Sequence, residues 1–547
     1  MEKIPALNGG GIISNIWMIS REYNDLAGAG GVKDVVFQLS ESLIKEDSCR
    51  VSIVLPGYGF INPEQAGFKP IYRRGKRQDR LRFGVDMNYG LEERRESCMV
   101  WFKKEKAVTL YLIEADRFSE KFDVYTYTDE EAAREAWKKT GTGHYDYFAM
   151  NVLLQKAALE LMVCLDEKPD VIHCHDGHTA LIPALIYECQ GWRCFFKDTG
   201  CLVTIHNAGV GYHQEVADLP FAHGITGLPW SVIGENRLSG KFDPLLTAGS
   251  YAVLNTVSSN YAKELMESEE DARTDWLGHA LAARGYTIEG VTNGIQPESF
   301  NPLKAKELGL AASYDPSSEE DELAGKRQCK ERLLRTLAEK ELPAGLELFG
   351  EIAVKPDDPL FTFIGRLSEQ KGIDHFLVAI ENLFSEYEDC QAVILGSGSE
   401  YLDAAIRSLS LKKELAGRLC FVRGFSLELA NHIYAGGDFF VIPSRYEPCG
   451  LTDYMAQLFG AVPVVHHVGG LVKVVDNETG IAYRGDSADE LYGALVRAQE
   501  LYLQPDKMRK MQRMAVRKIR EEYTWDVVKK KYLELYRQAM LRREKAS

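Results

Sequence analysis

Several absences narrow the reading of this 547-residue chain before any motif does. It has no Cys-x-x-Cys pair, and its eleven cysteines are scattered and odd in number. In a chain this long, that usage is expected of reduced thiols in a cytoplasmic protein rather than of a disulfide framework. It lacks a basic excess: Lys plus Arg is 65 against 80 Asp plus Glu, for a net charge of −15. That balance argues against a nucleic-acid partner or an acidic membrane surface. A neutral partner such as a glycan is compatible with it but not indicated by it. No run approaches the ~18 apolar residues of a membrane span. The apolar stretch Ile12–Ile19 runs into Arg21-Glu22 without a small-residue cleavage site, and reads as a first strand rather than a signal peptide. There is no short internal repeat or low-complexity tract. No Gly-x-Gly-x-x-Gly with a following acid comes after the first strand, which disfavours a dinucleotide-binding oxidoreductase.

What is present is a regular alternation. Candidate strands at Ile12–Ile19, Arg50–Leu55, Val108–Ile113, Asp170–His173, Cys201–Ile205, Ala252–Val257 and Tyr286–Val291 are separated by segments of helical period. Residues 303–359 break the rhythm with the charged Ser317–Glu322 and the turn Pro356-Asp357-Asp358-Pro359. A second series then starts, at Leu360–Ile364, Gln391–Leu395, Leu419–Val422, Phe439–Ile442 and Val462–Val465. The pattern predicts an α/β protein of βαβ units with mostly parallel sheets. Two Rossmann-like domains are expected, at 1–305 and 306–524, with a C-terminal helix at 525–547 packing back toward the first.

Polar clusters fall where these strands end, the place where open α/β sheets bind ligands. After Phe439–Ile442 comes Ser444-Arg445-Tyr446-Glu447-Pro448-Cys449-Gly450-Leu451-Thr452. Its carboxylate, glycine and threonine suit a sugar-like ligand, though alone the stretch is equally a plain strand-to-helix turn. Gly365–Gly372 closes Leu360–Ile364 and puts Arg366 and Lys371 on one loop, a possible pyrophosphate clamp. Ala27-Gly28-Ala29-Gly30-Gly31 opens a helix, where glycines let amides approach an anion. His173-Cys174-His175-Asp176-Gly177-His178 tempts a zinc reading. His173 and His175 share a strand face with Cys174 opposite, and no second ligand pair follows, so no metal is expected. Thr204-Ile205-His206-Asn207 again ends a strand in polar residues. Gly396-Ser397-Gly398, Gly424-Phe425 and Gly469-Gly470-Leu471 leave further room along the same edge.

These stretches, in this order, resemble the bacterial glycogen synthases and plant starch synthases. That family's Ser-Arg-(Phe/Tyr)-Glu-Pro-Cys-Gly-Leu-Thr, Gly-Arg-Leu-Ser-x-Gln-Lys-Gly, His-x-His-Asp-x-His and Thr-(Ile/Val)-His-Asn all have counterparts here. Gly30–Val36 is similar to the family's opening Lys-Thr-Gly-Gly-Leu-Ala-Asp-Val, with Asp34 retained and Gly28 where the family has a phosphate-contacting lysine. Lys33 lies in the first helical turn and is expected to point in a different direction. Gln296 stands in place of an Asp, and Gly211–Gln214 differs from the usual Tyr-Gln-Gly. The resemblance implies a GT-B fold, two Rossmann-like domains facing each other across a deep cleft. It implies retaining transfer of glucose from ADP-glucose to the non-reducing end of an α-1,4-glucan, without cofactor or metal. In that frame His206, Arg366, Lys371 and Glu447 are the catalytic set. Gly30, Gly31, Cys449, Gly450, Leu451 and Thr452 bind the donor, and Asp34, Asp176 and Asn207 line the sugar and acceptor side. A related glycosyltransferase with another donor or acceptor, and a non-catalytic glucan-binding protein, are the competing readings.

Overall fold

The computed structural model describes residues 13–45, 49–73 and 79–546. Ile12, the first residue of the first expected strand, lies outside them. The described chain forms two compact units, one running to Gly294 and resuming at Trp525, the other Ile295–Thr524.

The first unit is built on a ten-stranded sheet. Its strands are β1 (Asn15–Ile19), β2 (Arg50–Pro56), β3 (Lys69–Pro70), β4 (Arg82–Asp86), β5 (Arg95–Glu105), β6 (Val108–Glu114), β7 (Val171–His175) and β8 (Gly200–Ile205). A small separate ribbon, β9 (Arg237–Leu238) and β10 (Lys241–Phe242), precedes β11 (Val253–Thr256) and β12 (Ile288–Gly290). The order is β12-β11-β8-β7-β1-β2-β6-β5-β3, with β4 also on β5. From β12 to β6 all pairs are parallel, and the inner strands β1, β7 and β8 are buried at every residue, with both faces covered. The pairs of β5 with β3, β4 and β6 are antiparallel. The sequence reading missed β3, β4 and β5 because half-exposed edge strands carry charges such as Arg95, Lys103 and Glu105.

The helix Tyr147–Leu165 also departs from expectation. It is long and apolar enough to cross a membrane, with a mean hydropathy of 1.5, yet 78% of that window is buried inside the unit. Its Lys156 ammonium donates to the carbonyls of Asp86 and Ile225 at 2.8 and 2.7 Å, which suits a core helix. The C-terminal helix Trp525–Ala546 belongs to this unit too. It lies against β8, β11 and β7 and buries Trp525, Tyr532, Leu535 and Tyr536 in the core it shares with β1 and β2. Gly200 makes the approach possible, since a Cβ there would sit 2.6 Å from the Ala539 carbonyl carbon.

The second unit has seven strands: β13 (Glu347–Ile352), β14 (Leu360–Leu367), β15 (Gln391–Gly398), β16 (Arg418–Arg423), β17 (Phe439–Ile442), β18 (Val462–His466) and β19 (Ile481–Tyr483). Their order is β13-β16-β15-β14-β17-β18-β19, parallel except for β13. The edge strands β13 and β19 were not expected, for neither has a long apolar run. Helices such as Ile373–Glu386 present Ile373, Phe376, Leu377, Ile380, Leu383 and Phe384 to one core, the spacing of a single helical face.

Candidate active site

Strand order locates the ligand loops. In each unit the sheet grows outward in opposite directions from one pair of strands, β1/β7 in the first and β14/β17 in the second. Loops leaving such a switch point diverge and open a crevice at the strand C-termini.

In the second unit these are the loops after β14 and β17, and they are laced together. The Arg445 amide donates to the Gln370 carbonyl at 2.9 Å, and Gln370 Nε2 to the Tyr446 carbonyl at 3.0 Å. Gly372, at φ +64°, is required here: a Cβ would stand 2.0 Å from the Pro443 carbonyl oxygen. Arg445 is a structural cation, forked onto Asp374 at 2.8 and 2.7 Å and reaching Asp486 at 3.1 Å. Arg366 differs. It is exposed at the end of β14, opposite Ser397, and makes no ion pair among the described residues.

Lys371 and Glu447 were expected to act on separate parts of a ligand, but here they are paired. The Lys371 ammonium donates to Glu447 Oε2, which also accepts from the Ser444 hydroxyl at 3.0 Å. Burial pushes the Glu447 carboxyl up. The charge and hydrogen bond of Lys371, with help from Ser444 and Lys473, outweigh it and hold the group below its ordinary value.

Beneath this loop lies a lysine that sequence reasoning missed. Lys473 Nζ donates to the carbonyls of Cys449, Gly450 and Gly470 at 2.6, 2.7 and 3.2 Å, and pairs with Asp453 at 3.0 Å. Burial lifts the Asp453 carboxyl to about 6 against the opposing charge of Lys473. Gly469 and Gly470 permit close contact, because Cβ atoms on them would meet the Glu447 and Cys449 carbonyl oxygens at 2.0 and 2.1 Å. Leu451 and Thr452, both half-buried, then start the helix Thr452–Leu458. The glycine pair was a visible signal; the lysine three residues on carried none.

In the first unit, Asp176, His206 and Asn207 are brought together where β7 and β8 end. Asp176 Oδ1 accepts from the His206 and Asn207 amides at 2.6 and 3.3 Å. Burial raises its carboxyl to about 7, although those amides pull the other way. His206 Nε2 meets His175 Nδ1 at 2.9 Å, and burial lowers His206 to about 3. It is therefore a neutral ring at neutral pH, suited to hydrogen bonding. The neighbouring His173 bonds Thr204 Oγ1 at 2.7 Å and the Tyr536 hydroxyl at 3.0 Å. These ring nitrogens serve an internal network.

Gly30 and Gly31 end the loop after β1, with Asp34 just beyond them in a helix, and here the expected arrangement changes. The Ala29 and Gly30 amides both donate to Glu22 Oε2, at 2.8 and 2.9 Å. A buried carboxylate of the chain itself thus takes the amide of Gly30 that was expected to face a phosphate. Tyr125 donates to the other oxygen of Glu22 and packs on His178, at 5.2 Å between ring centroids, linking this loop to the one after β7. Asp34 is half-buried in the first turn of the helix Val32–Leu43. Burial raises its carboxyl, with Lys33 opposing.

Two Rossmann-like units, each with polar loops at a sheet's switch point, are the building blocks of a GT-B fold. A model of the starch synthase catalytic domain matches residues 15–282, and one of group 1 glycosyl transferases matches 346–518. The glycogen synthase of Geotalea daltonii is 30% identical over 543 residues, covering 95% of this chain and 98% of that protein. A Streptococcus pneumoniae glycogen synthase is 28% identical over 530 residues, with the same coverage. The catalytic domain of Arabidopsis thaliana starch synthase IV, solved with ADP and acarbose, superposes with a TM-score of 0.77. It is 23% identical, and the match covers 96% of this chain and 99% of that one. The chain belongs to the glycogen and starch synthase family, and is a glucosyltransferase of that type.

Proposed function

We propose that this enzyme transfers glucose from ADP-glucose to the non-reducing end of an α-1,4-glucan, with retention and without a metal. The bond between the glucosyl C1 and the diphosphate oxygen breaks, and ADP departs with the electron pair. The new bond forms to the acceptor 4-hydroxyl oxygen, whose proton leaves with the nucleotide or to water. The observation that carries this reading is the pair of loops at the second unit's switch point. They carry an uncommitted guanidinium at Arg366 and the half-buried Lys371–Glu447 pair.

In this reading Arg366 and Lys371 stabilise negative charge growing on the leaving diphosphate, as fixed charges that need no reorganisation. Glu447 and the Cys449–Thr452 backbone hold the donor sugar. In the first unit His206, neutral and bonded to His175, is available to hydrogen-bond a sugar hydroxyl, and Asp176 shapes the loop of His206 and Asn207. The ADP and acarbose named for the Arabidopsis structure support a nucleoside diphosphate and an α-glucan-like ligand here. The compartment is taken as the cytoplasm.

The test is incorporation of labelled glucose from ADP-glucose, UDP-glucose and GDP-glucose, with glycogen and with short maltooligosaccharides. ADP-glucose should give the highest kcat/KM. Preference for another donor would move the assignment to a related transferase, the reading that Gly28 and Gln296 favour.

A further inference from the structure

Between Thr128 and Tyr145 the first unit turns two large aromatic rings to solvent. Trp137 is 58% exposed and Tyr145 85%. They stand edge to face, with ring centroids 6.4 Å apart and planes at 83°. The backbone that carries them closes on itself. The Tyr127 amide donates to the Thr142 carbonyl at 2.9 Å, and the Gly141 amide donates to the Tyr127 carbonyl at 2.8 Å. The Tyr145 amide donates to the Tyr127 hydroxyl at 3.0 Å, and a capping box of Thr128 and Glu131 starts the short helix Asp129–Arg134. The indole is fixed as well. Glu135 accepts from Trp137 Nε1 at 2.8 Å and from the Lys138 ammonium at 2.7 Å. Tyr127 packs edge-on against Trp137 at 5.7 Å, and the Lys138 ammonium lies 5.4 Å from the Trp137 ring centroid. Holding an exposed ring in one orientation forfeits rotamer entropy without burying the ring, and that preorganisation is recovered when a ligand lies on it.

The surroundings select a neutral, hydroxylated ligand. From Thr128 to Tyr145 there is no aliphatic side chain larger than alanine, so the rings stand among polar groups rather than in an apolar patch. Four acids and three bases nearly cancel over this stretch. Arg134 is paired with Glu130, and Lys138 with Glu135, which leaves little for a polyanion or a polycation to complement. Sugar rings combine apolar C–H faces, which lie on aromatic rings, with hydroxyl edges. The Thr140 and Thr142 hydroxyls donate to Asp129 and to the Lys139 carbonyl and keep acceptor capacity for such edges. The segment also adjoins the strand-end loops of its own unit, since Tyr125 donates to Glu22 and packs on His178. We propose that Trp137 and Tyr145 form a platform for the acceptor glucan, engaged by chains long enough to pass beyond those loops. This role rests on the glucan-acceptor reading above. Contacts so far along the acceptor are the same before and during transfer, so they lower the acceptor KM and leave turnover alone.

The test compares full-length wild type with Trp137→Ala, Tyr145→Ala, the double variant and Trp137→Phe, on glycogen, maltoheptaose and maltotriose. Each alanine should raise the glycogen KM about three- to tenfold, the range of one aromatic contact, and the pair should exceed either. Calorimetric affinity for maltoheptaose should fall in parallel, and Trp137→Phe should recover part of the loss. Turnover at saturating glycogen, the donor KM, kcat/KM with maltotriose and the melting temperature should hold. An unchanged glycogen KM in the double variant would overturn the proposal. So would an equal loss with maltotriose, which puts the rings at the reacting sugar, or a loss accompanied by a lower melting temperature. A smaller light-scattering mass in the alanine variants would assign the face to a second copy of the chain and likewise overturn it. Maltoheptaose bound through these rings by a wild type that transfers no glucose would support the platform and refute the transfer reading. Binding of neither maltoheptaose nor glycogen would remove both.

Discussion

Arg366 and Lys371, two cations on one loop, should respond differently to the same substitution. Arg366 is exposed and bonded to no carboxylate among the described residues, so Arg366→Ala should leave the melting temperature unchanged. A hydrogen bond to a charged group is worth about 1.5–3 kcal/mol, so kcat/KM should fall at least tenfold. Lys371→Ala strips the cation from the half-buried Glu447 carboxylate, leaving it the Ser444 hydroxyl, and removing one partner of such a bond destabilises by about 1–3 kcal/mol. It should therefore lower the melting temperature as well as activity, and Lys371→Ala/Glu447→Gln should regain part of the stability. Equal melting temperatures for the two single variants would refute the distinction. Asp176 offers a pH test. Its folded carboxyl is raised to about 7 by burial, against about 3.9 in an unfolded chain. The stability this contributes is complete below about pH 3.9 and is lost as pH rises through about 7, with about 1.4 kcal/mol at stake per pH unit. Asp176→Asn should thus gain on wild type between pH 4 and pH 7 and hold a constant difference above that, as read by denaturant melts. The strand-end loops holding these residues were legible, because each follows an apolar run, and the family resemblance separated them from plain turns. The partners of the Cys449 carbonyl and the Gly30 amide were not, for Lys473 and Glu22 belong to no local pattern and acquire meaning only when the chain is folded.

The element that joins the two second-unit loops is a glycine-dependent crossing. Gly372→Ala would place a Cβ 2.0 Å from the Pro443 carbonyl oxygen on a backbone at φ +64°. Strain of this kind amounts to roughly 1–3 kcal/mol, and relieving it separates the loop of Arg366 from that of Glu447. Activity should fall by more than the stability change alone explains, whereas Gly493→Ala, on an open helix face, should leave activity unchanged and raise stability by about 0.5–1 kcal/mol. Activity tracking stability in Gly372→Ala would argue against the crossing as a positioning device. The same scale shows what periodicity captures. Central strands such as β14, β15 and β17 announce themselves as apolar runs because both their faces are covered. The strands β4, β5 and β13 are antiparallel and partly solvated, and their charges disguise them.

On the scale of the whole molecule, the first unit is assembled from two distant pieces of chain. Truncation after Thr524 would remove Trp525, Tyr532, Leu535 and Tyr536 from its core. Losing a single buried aromatic typically destabilises by about 3–5 kcal/mol, and a domain has only about 5–15 kcal/mol in hand. The truncated chain should show one calorimetric transition, that of the continuous second unit, and addition of a 525–547 peptide should restore the other. Two transitions in the truncated chain without the peptide would mean that the helix is dispensable. The same closure sets an order of events at the ribosome. Every residue from Ile295 to Thr524 must be made before the helix that covers β8 and β11 exists. At roughly 5–20 residues per second, the sheet emerges with an open apolar face for on the order of 10–50 s. The second unit, though later in the sequence, can finish folding first. The half-built sheet must stay unaggregated in the meantime, which makes translation speed and chaperone access part of this protein's stability.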